Sequence, residues 1–388
     1  MGEWREMTLE EVTTKITDGA HHSPKEFKSG IPMFSVKDMR EQDFYYESAK
    51  TISEYDYKKL INSGCQPEID DILIAKDGSV LKHVFRVKNK PDYVLLSSIA
   101  IIRPDKFIIE PAFLVYAIKD PTTTDIILNN FVGGSGVPRI VLKDFKKVGL
   151  SLPPLPEQKA IAEVLSSLDD KIDLLHRQNK TLEQMAETLF RQWFVEEADE
   201  GWEESTLPDE FDFLMGQSPK GTSFNEEGIG TPMYQGNADF DFRFPNRRIY
   251  TTEAKRLAQK YETLISVRAP VGEQNMAIEE CCIGRGVAAF KYKEKPEYYT
   301  YTYFKMRSLM DEIKLFNNEG TVFGSISKTD FQSLVITIPP KIVVYKFQNE
   351  VKPIDDKVIE NTIQIRTLEK MRDTLLPKLM STEVRVEI

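Results

Sequence analysis

The residues of this chain that could do covalent or metal chemistry are few, and their spacing argues against each use. The 388 residues hold three cysteines and four histidines. Cys281 and Cys282 are neighbours in an apolar run that ends at Gly284, and Cys65 stands alone. A metal site needs spaced ligands that converge on one ion, so buried thiols are the expectation. His21 and His22 are adjacent beside a charged loop, and His83 and His176 are isolated. None has a convincing ligand or nucleophile partner. Gly133-Gly134-Ser135-Gly136 is glycine-rich, but a phosphate-cradling loop ends in Lys followed by Ser or Thr and joins a strand to a helix. Neither condition is met. The Asn/Asp-Pro-Pro-aromatic run of adenine methyltransferases is absent. Two carboxylate pairs remain, Asp169-Asp170 and Asp355-Asp356, and both read as solvated helix face or as contacts for a partner. No catalytic constellation, resident metal or cofactor is expected.

The elements that carry these residues are duplicated. Residues 140–194 reappear at 326–380 with a constant offset of 186. Ile140, Asp144, Phe145, Pro153 and Pro154 match Ile326, Asp330, Phe331, Pro339 and Pro340, and the Asp pairs match each other. A repeat of this length dictates the architecture. After each Pro-Pro a long helix is expected. In the first copy, apolar residues fall at Ile161, Leu165, Leu168, Ile172, Leu175, Leu182, Ala186, Leu189 and Trp193, with Asn179 in the remaining slot. In the second they fall at Phe347, Val351, Ile354, Val358, Ile365, Leu368, Leu375 and Leu379, with Asn361 and Arg372 in the polar slots. Alternating steps of four and three sustained over four heptads describe a coiled-coil seam. An internal pseudo-twofold would make the helices antiparallel, in a register where paired residue numbers sum to 540. Ile161 then meets Leu379, Leu168 meets Arg372, Ala186 meets Ile354 and Trp193 meets Phe347. The same register sets Asn179 against Asn361, whose amides can satisfy each other where Asn against Leu would not.

Ahead of each helix the repeat decays. Trp4 matches Trp202 at an offset of 198, Ile31-Pro32-Met33-Phe34 matches Thr231-Pro232-Met233-Tyr234 at 200, and Asp71-Ile72-Leu73-Ile74 matches Glu262-Thr263-Leu264-Ile265 at 191. Short β-rich runs, such as Asp71-Ile72-Leu73-Ile74-Ala75 and Ile99-Ala100-Ile101-Ile102, alternate with turns. Helices are expected over 111–130 and 296–316. The fold class is therefore α+β. Two mixed α/β domains (1–152 and 201–338) are separated by helical spacers (153–200 and 339–388) that form an antiparallel coiled coil. One helical scaffold carrying two diverged readers is the simplest account.

Composition sets further bounds. The net charge is −10 and hydrophobic residues make up 41%. Acid concentrates on the first helical segment: residues 151–200 carry 5 Lys+Arg against 11 Asp+Glu, whereas residues 1–150 carry 21 against 22. A nucleic-acid binder of this charge would work beside positively charged subunits. No apolar run approaches the roughly 18 residues that span a bilayer, and the charged start lacks a signal-peptide core. A cytoplasmic location without membrane contact is expected. The acidic charge also suits an alternative, a coiled-coil protein-interaction scaffold without DNA specificity.

The run Leu152-Pro153-Pro154-Leu155-Pro156-Glu157-Gln158, with Ile161 and Leu165-Ser166-Ser167-Leu168-Asp169-Asp170-Lys171-Ile172, resembles the conserved region of type I restriction–modification specificity subunits. The continuation through Leu182-Glu183-Gln184, Leu189-Phe190 and Trp193-Phe194 is similar too, as is the end, Leu375-Leu376-Pro377-Lys378-Leu379-Met380. In the second copy Pro339-Pro340-Lys341 departs from the pattern. Asp70-Asp71-Ile72-Leu73-Ile74-Ala75-Lys76-Asp77-Gly78-Ser79 and Gly136-Val137-Pro138-Arg139-Ile140 resemble the family's target-recognition domains. The resemblance implies a subunit that reads a bipartite site in double-stranded DNA, one half per domain. It implies docking of two methyltransferase (M) subunits that use S-adenosylmethionine, and of restriction (R) subunits that use ATP. Lys and Arg would set position on phosphates, and Arg, Asn and Gln would read base edges. The candidates in the first domain are Lys37, Arg40, Lys76, Ser79, Lys82 and Arg139. In the second they are Gln235, Asn237, Arg247, Arg248, Arg268, Gln274, Asn275 and Arg285. Arg139 and Arg268 rank highest, because each follows an apolar or Gly/Pro-rich element. Asn179 and Asn361 are the register candidates. A seam from Ile161 to Trp193 measures roughly 50 Å at about 1.5 Å per residue, compatible with half-sites about one helical turn apart.

Overall fold

The computed structural model describes residues 3–134, 136–315 and 324–387. Ser135 of the glycine-rich loop and Phe316, the expected end of the helix over 296–316, lie outside the described residues. The chain divides into two compact units, Met1–Leu174 with Arg366–Ile388, and Leu175–Ile365. Each holds one globular domain and a portion of both long helices.

In the first unit, strands Thr13–Asp18, Ile99–Pro104, Ile72–Ala75 and Val84–Arg86 form one antiparallel sheet in that spatial order. All four residues of Ile72–Ala75 are buried, because both faces of the sheet are covered. The pleat sends alternate residues to opposite sides. Ile72 and Ile74 join a core with Phe113 and Leu114 of helix Pro111–Lys119, while Leu73 and Ala75 join one with Phe34, Phe44 and Tyr93. A smaller sheet sets Ile31–Phe34 between Lys50–Ile52 (antiparallel) and Val94–Leu95 (parallel). The helix expected over 111–130 is two helices, Pro111–Lys119 and Pro121–Asn130. Pro121 cannot continue a helix, and the Asp120 carboxylate accepts from Thr123 N at 3.2 Å to cap the next one.

The second unit repeats this plan and adds two short strands to it. Phe211–Met215, Val287–Tyr292, Thr263–Ser266 and Gln274–Met276 make the antiparallel sheet in the same order. Leu264 faces one core and Ile265 the other. Thr231–Tyr234 lies between Ile249–Thr251 (antiparallel) and Cys281–Ile283 (parallel), with short strands Phe224–Asn225 and Leu257–Ala258 added at the edges. The helix expected over 296–316 begins at Tyr299 and breaks after Ser308, with Met310–Leu315 following. Cys281 and Cys282 are buried in their strand, and Cys65 is buried in the first unit.

Each domain is closed by an antiparallel clasp. Arg5–Thr8 pairs with Gly149–Leu152, and Glu203–Thr206 pairs with Val335–Ile338. The long helices, Leu155–Arg191 and Lys341–Met380, start directly after the clasps. The first ends in a π turn, Gln192–Glu196. Pro353 interrupts the second helix's hydrogen bonding at an exposed position, where water can serve the freed carbonyl. No helix among the described residues is long and apolar enough to cross a membrane.

Within each unit the two helices run antiparallel. In the first, Ile161 and Leu165 share a core with Leu376 and Leu379, and Asp169 meets Arg372 at 2.9 Å. In the second, Asn361 Nδ2 donates to Asn179 Oδ1 at 3.0 Å, and the Trp193 and Phe347 rings pack edge to face with centroids 6.1 Å apart. At the expected pairing of Leu168 with Arg372, the Arg372 guanidinium bonds Asp169, the residue after Leu168. A charge set against leucine would lose its hydration without return, so it turns to the adjacent carboxylate.

Candidate nucleic-acid interface

The expected readers of the first domain lie on loops at the ends of the two sheets. After Ile31–Phe34 the chain makes one tight turn, Val36–Asp38. The buried Asp38 carboxylate builds this turn by accepting from Ser35 N at 2.9 Å, Ser35 Oγ at 2.9 Å and Ser48 Oγ at 2.7 Å. Lys37 is exposed on it. Arg40 is exposed but curls back, donating to Lys37 O at 3.1 Å and Met39 O at 2.8 Å, with its guanidinium over the Tyr45 ring. Ser79 and Lys82 are exposed in the connection between Ile72–Ala75 and Val84–Arg86. Exposed Arg139 starts the short strand Arg139–Ile140, which pairs with Val132–Gly133 and bridges to Asp77. Ser98 joins these loops: its hydroxyl accepts from Val36 N at 3.1 Å, and its carbonyl accepts from Lys76 N at 2.9 Å. Lys76 is placed differently from the expectation. Its ammonium is buried in an ion pair with Asp18 at 2.7 Å, so it braces the sheet edge.

The second domain gathers its candidates more tightly. Gln235, Asn237, Arg248, Arg268 and Arg285 line one groove, floored by Gly236, Ala238 and Gly286. Buried Asp239 takes the role of Asp38: one oxygen accepts from Gln235 N at 2.6 Å, and the other accepts from the Arg248 guanidinium. Gly286 is obligatory, since a Cβ there would lie 2.1 Å from Gln235 O. Arg268 follows Thr263–Ser266 by two residues and bridges to Ser325, as Asp77 bridges to Arg139 in the first domain. Arg285 tops the turn before Val287–Tyr292, its backbone N–H donating to Ser218 Oγ at 3.2 Å. Among the described residues no carboxylate lies in ion-pair range of Lys37, Lys82, Arg139, Arg268 or Arg285. Arg247 sits on the rim, paired with Glu279 at 2.6 Å. Gln274 and Asn275 are turned away from the groove. Gln274 Nε2 donates to Tyr303 O at 2.7 Å, and buried Asn275 donates to Asp241 O.

The Asp pairs correct another expectation. Asp169 and Asp355 are buried, not solvated. Asp169 accepts from the Tyr116 hydroxyl at 2.9 Å and from Arg372 at 2.9 Å. Burial and the adjacent carboxylate together raise the Tyr116 phenol far above its usual range. Asp355 accepts from the Thr300 hydroxyl at 2.9 Å and from Arg243, which is itself buried over the Tyr303 ring. In both copies the first Asp therefore clamps a spacer helix to its own domain. The second Asp stays at the surface, Asp170 with Lys88 and Asp356 with Lys352. The sequence signal for this was present but unread: Asp169 and Asp355 each lie one residue past a seam position (Leu168 and Ile354), on the flank that faces the domain.

Asn179 and Asn361 are both fully buried. Besides their mutual bond, Asn179 Nδ2 donates to Thr362 Oγ1 at 3.2 Å, and the Thr362 hydroxyl donates to Val358 O at 2.7 Å. Among the described residues no group of three or more His, Cys, Asp or Glu is placed to hold a metal ion.

Known proteins share this plan. A Methanocaldococcus jannaschii protein assigned as the MjaX specificity subunit of a type I restriction enzyme is 30% identical over 99% of this chain and 94% of its own length. The HindI specificity subunit of Haemophilus influenzae is 21% identical over 99% of this chain and 100% of its own. The crystal structure of a type I restriction-modification S subunit from M. genitalium superposes with a TM-score of 0.66 at 19% identity, covering 99% of this chain and 96% of that one. The type I restriction modification DNA specificity domain matches twice, over residues 1–184 and 199–366, one match for each duplicated set of sheet, clasp and helix. The chain belongs to that family of DNA specificity proteins.

Proposed function

We propose that this chain reads a bipartite sequence in double-stranded DNA on behalf of a type I restriction–modification complex. One half-site falls to the recognition domain within residues 1–152 and the other to that within 201–338. The spacers 153–200 and 339–388 set the spacing and dock two methyltransferase subunits, with restriction subunits joining them inside the cell. Adenine methylation from S-adenosylmethionine and ATP-dependent cleavage belong to those partners; the chain supplies recognition and no catalysis. The observation that carries this reading is the pair of domains with one strand order and different loop side chains at matching places. A scaffold with no reading task has no use for one shared strand order that displays Lys37, Ser79, Lys82 and Arg139 in one copy and Gln235, Asn237, Arg248, Arg268 and Arg285 in the other. Arg40 and Arg247 flank these sets. Lys76, Gln274 and Asn275 serve as braces behind them.

The test is methylation of a randomised DNA library by this chain assembled with its methyltransferase subunit. The expected outcome is a two-part motif, of which only one part changes when residues 1–152 are replaced by another recognition domain. A change in both parts, or methyl transfer by the chain alone, refutes the proposal.

A further inference from the structure

Arg248 differs from the other basic residues of its groove in how it is held. Its side chain is 54% exposed, yet Nε donates to Asp239 Oδ1 at 3.2 Å and Nη2 donates to the same oxygen. Asp239 is 4% exposed and is itself fixed, because its other oxygen accepts from Gln235 N. The backbone on both sides is tied as well, since Asn246 N donates to Asp239 O at 2.7 Å. A guanidinium has five N–H donors in a planar fork. Asp239 occupies the side edge, Nε with Nη2. The end edge is Nη1 with the outer hydrogen of Nη2; among the described residues nothing bonds Nη1, and Arg248 lines the groove. Two parallel N–H donors on an end edge match the O6 and N7 acceptors of guanine. Orienting the fork in advance removes most of the rotamer entropy that such a contact would otherwise cost.

We infer that Arg248, braced by Asp239, reads one guanine in the half-site of the second domain, whereas Arg268 and Arg285 in the same groove contact phosphates. This rests on the DNA-reading function proposed above and names its determinant. Arg268 and Arg285 have no bracing carboxylate among the described residues, so they are free to follow the backbone of any sequence. The corresponding turn of the first domain lacks the device. There the corresponding carboxylate, Asp38, spends its second oxygen on the Ser48 hydroxyl, and Arg40 is folded onto its own backbone carbonyls. The braced fork is therefore a feature of the second domain's turn and not of its counterpart.

The experiment uses the full chain assembled with its methyltransferase subunit. It measures methylation and binding on duplexes in which each base pair of both half-sites is permuted, at several salt concentrations. With Arg248→Ala, discrimination at a single G·C pair of the second half-site falls roughly ten- to hundredfold, and the first half-site is untouched. Arg248→Lys keeps the charge but loses the fork, and it behaves like the alanine variant at that pair. Arg285→Ala weakens binding to every sequence alike and lowers the salt slope by about one. Recovery of the wild-type base profile by Arg248→Lys overturns the inference, as does an even loss across all sequences in Arg248→Ala or no change at all. If the wild-type complex has no base preference in a second half-site, the failure belongs to the proposed function instead.

Discussion

Replacing Asn179 and Asn361 by leucine, singly and together, separates the polar pair's energy from its cost of burial. In the wild type Asn361 donates to Asn179, and Asn179 donates to Thr362. Asn361 Oδ1 is buried with no partner among the described residues. Asn361→Leu leaves Asn179 Oδ1 without its donor in a fully buried seam, a penalty of about 1–3 kcal/mol. The new apolar side chain offsets roughly 1–2 kcal/mol of this, so the single variant is near neutral to destabilised by about 2 kcal/mol. The double variant removes every unsatisfied amide, including Asn361 Oδ1, and sets leucine against leucine. Thr362 keeps its bond to Val358 O. The double variant should therefore be about 2 kcal/mol more stable than the wild type, raising the melting point of a unit this size by several degrees. The cycle yields a coupling of about 2 kcal/mol or more, read from urea unfolding of all four proteins. If the effects add within about 0.5 kcal/mol, or the double variant is weaker than the wild type, the two amides do not act as a pair. The same double variant should tolerate a wider range of half-site spacings, since no polar pair then penalises slippage.

Two further outcomes follow from buried charges. Asp355→Ala should cost about 3–5 kcal/mol, because the buried Arg243 then loses its nearest carboxylate and is left with Glu183 at 3.5 Å and the Tyr303 ring, whereas Asp356→Ala should cost less than about 1 kcal/mol; equal costs in urea unfolding would remove the clamp. Burial raises the Glu210 carboxyl from 4.5 to about 7 despite the opposing pull of Lys305 and the Tyr301 hydroxyl, so the folded state favours the protonated form; its contribution is complete below about pH 4.5 and is lost as pH rises through 7, about 3 kcal/mol in all, and Glu210→Gln should flatten that part of the stability profile.

The helices were legible because a seam repeats every seven residues and both copies carry it at one offset. Burial along the first helix at Ile161, Leu165, Ile172, Leu175, Asn179 and Ala186 follows the written pattern. What the seam could not report is a helix with a second buried flank, and Asp169 and Asp355 lie on it. The equal topology of the two domains was hidden for a different reason. Strand pairing is made by backbone, so Thr263–Ser266 can occupy the place of Ile72–Ala75 with few shared side chains and a shifted offset. Individual loop residues were the least legible. Lys76 and Lys82 belong to one connection, yet Asp18 draws the first inward and leaves the second in solvent, a distinction set by a partner 58 positions away. Asn275 was misplaced because it lies within Gln274–Met276, where the pleat turns it to the interior.

The clasps give each domain the topology of a cassette. The chain enters through Arg5–Thr8 and leaves through Gly149–Leu152, its hydrogen-bonded neighbour, and the second domain does the same between Glu203–Thr206 and Val335–Ile338. The helical frame is thus joined to each domain at two adjacent ends, and the clamps at Asp169 and Asp355 are what it asks of the segment folded between them. A segment that begins and ends on such a ladder and supplies a partner for the buried Asp can be spliced in without altering the helices' length, phase or polar pair. Exchange of whole segments at the clasp codons is then a shorter route to a new DNA target than the stepwise change of reading residues, because each imported segment arrives with its own loops already braced.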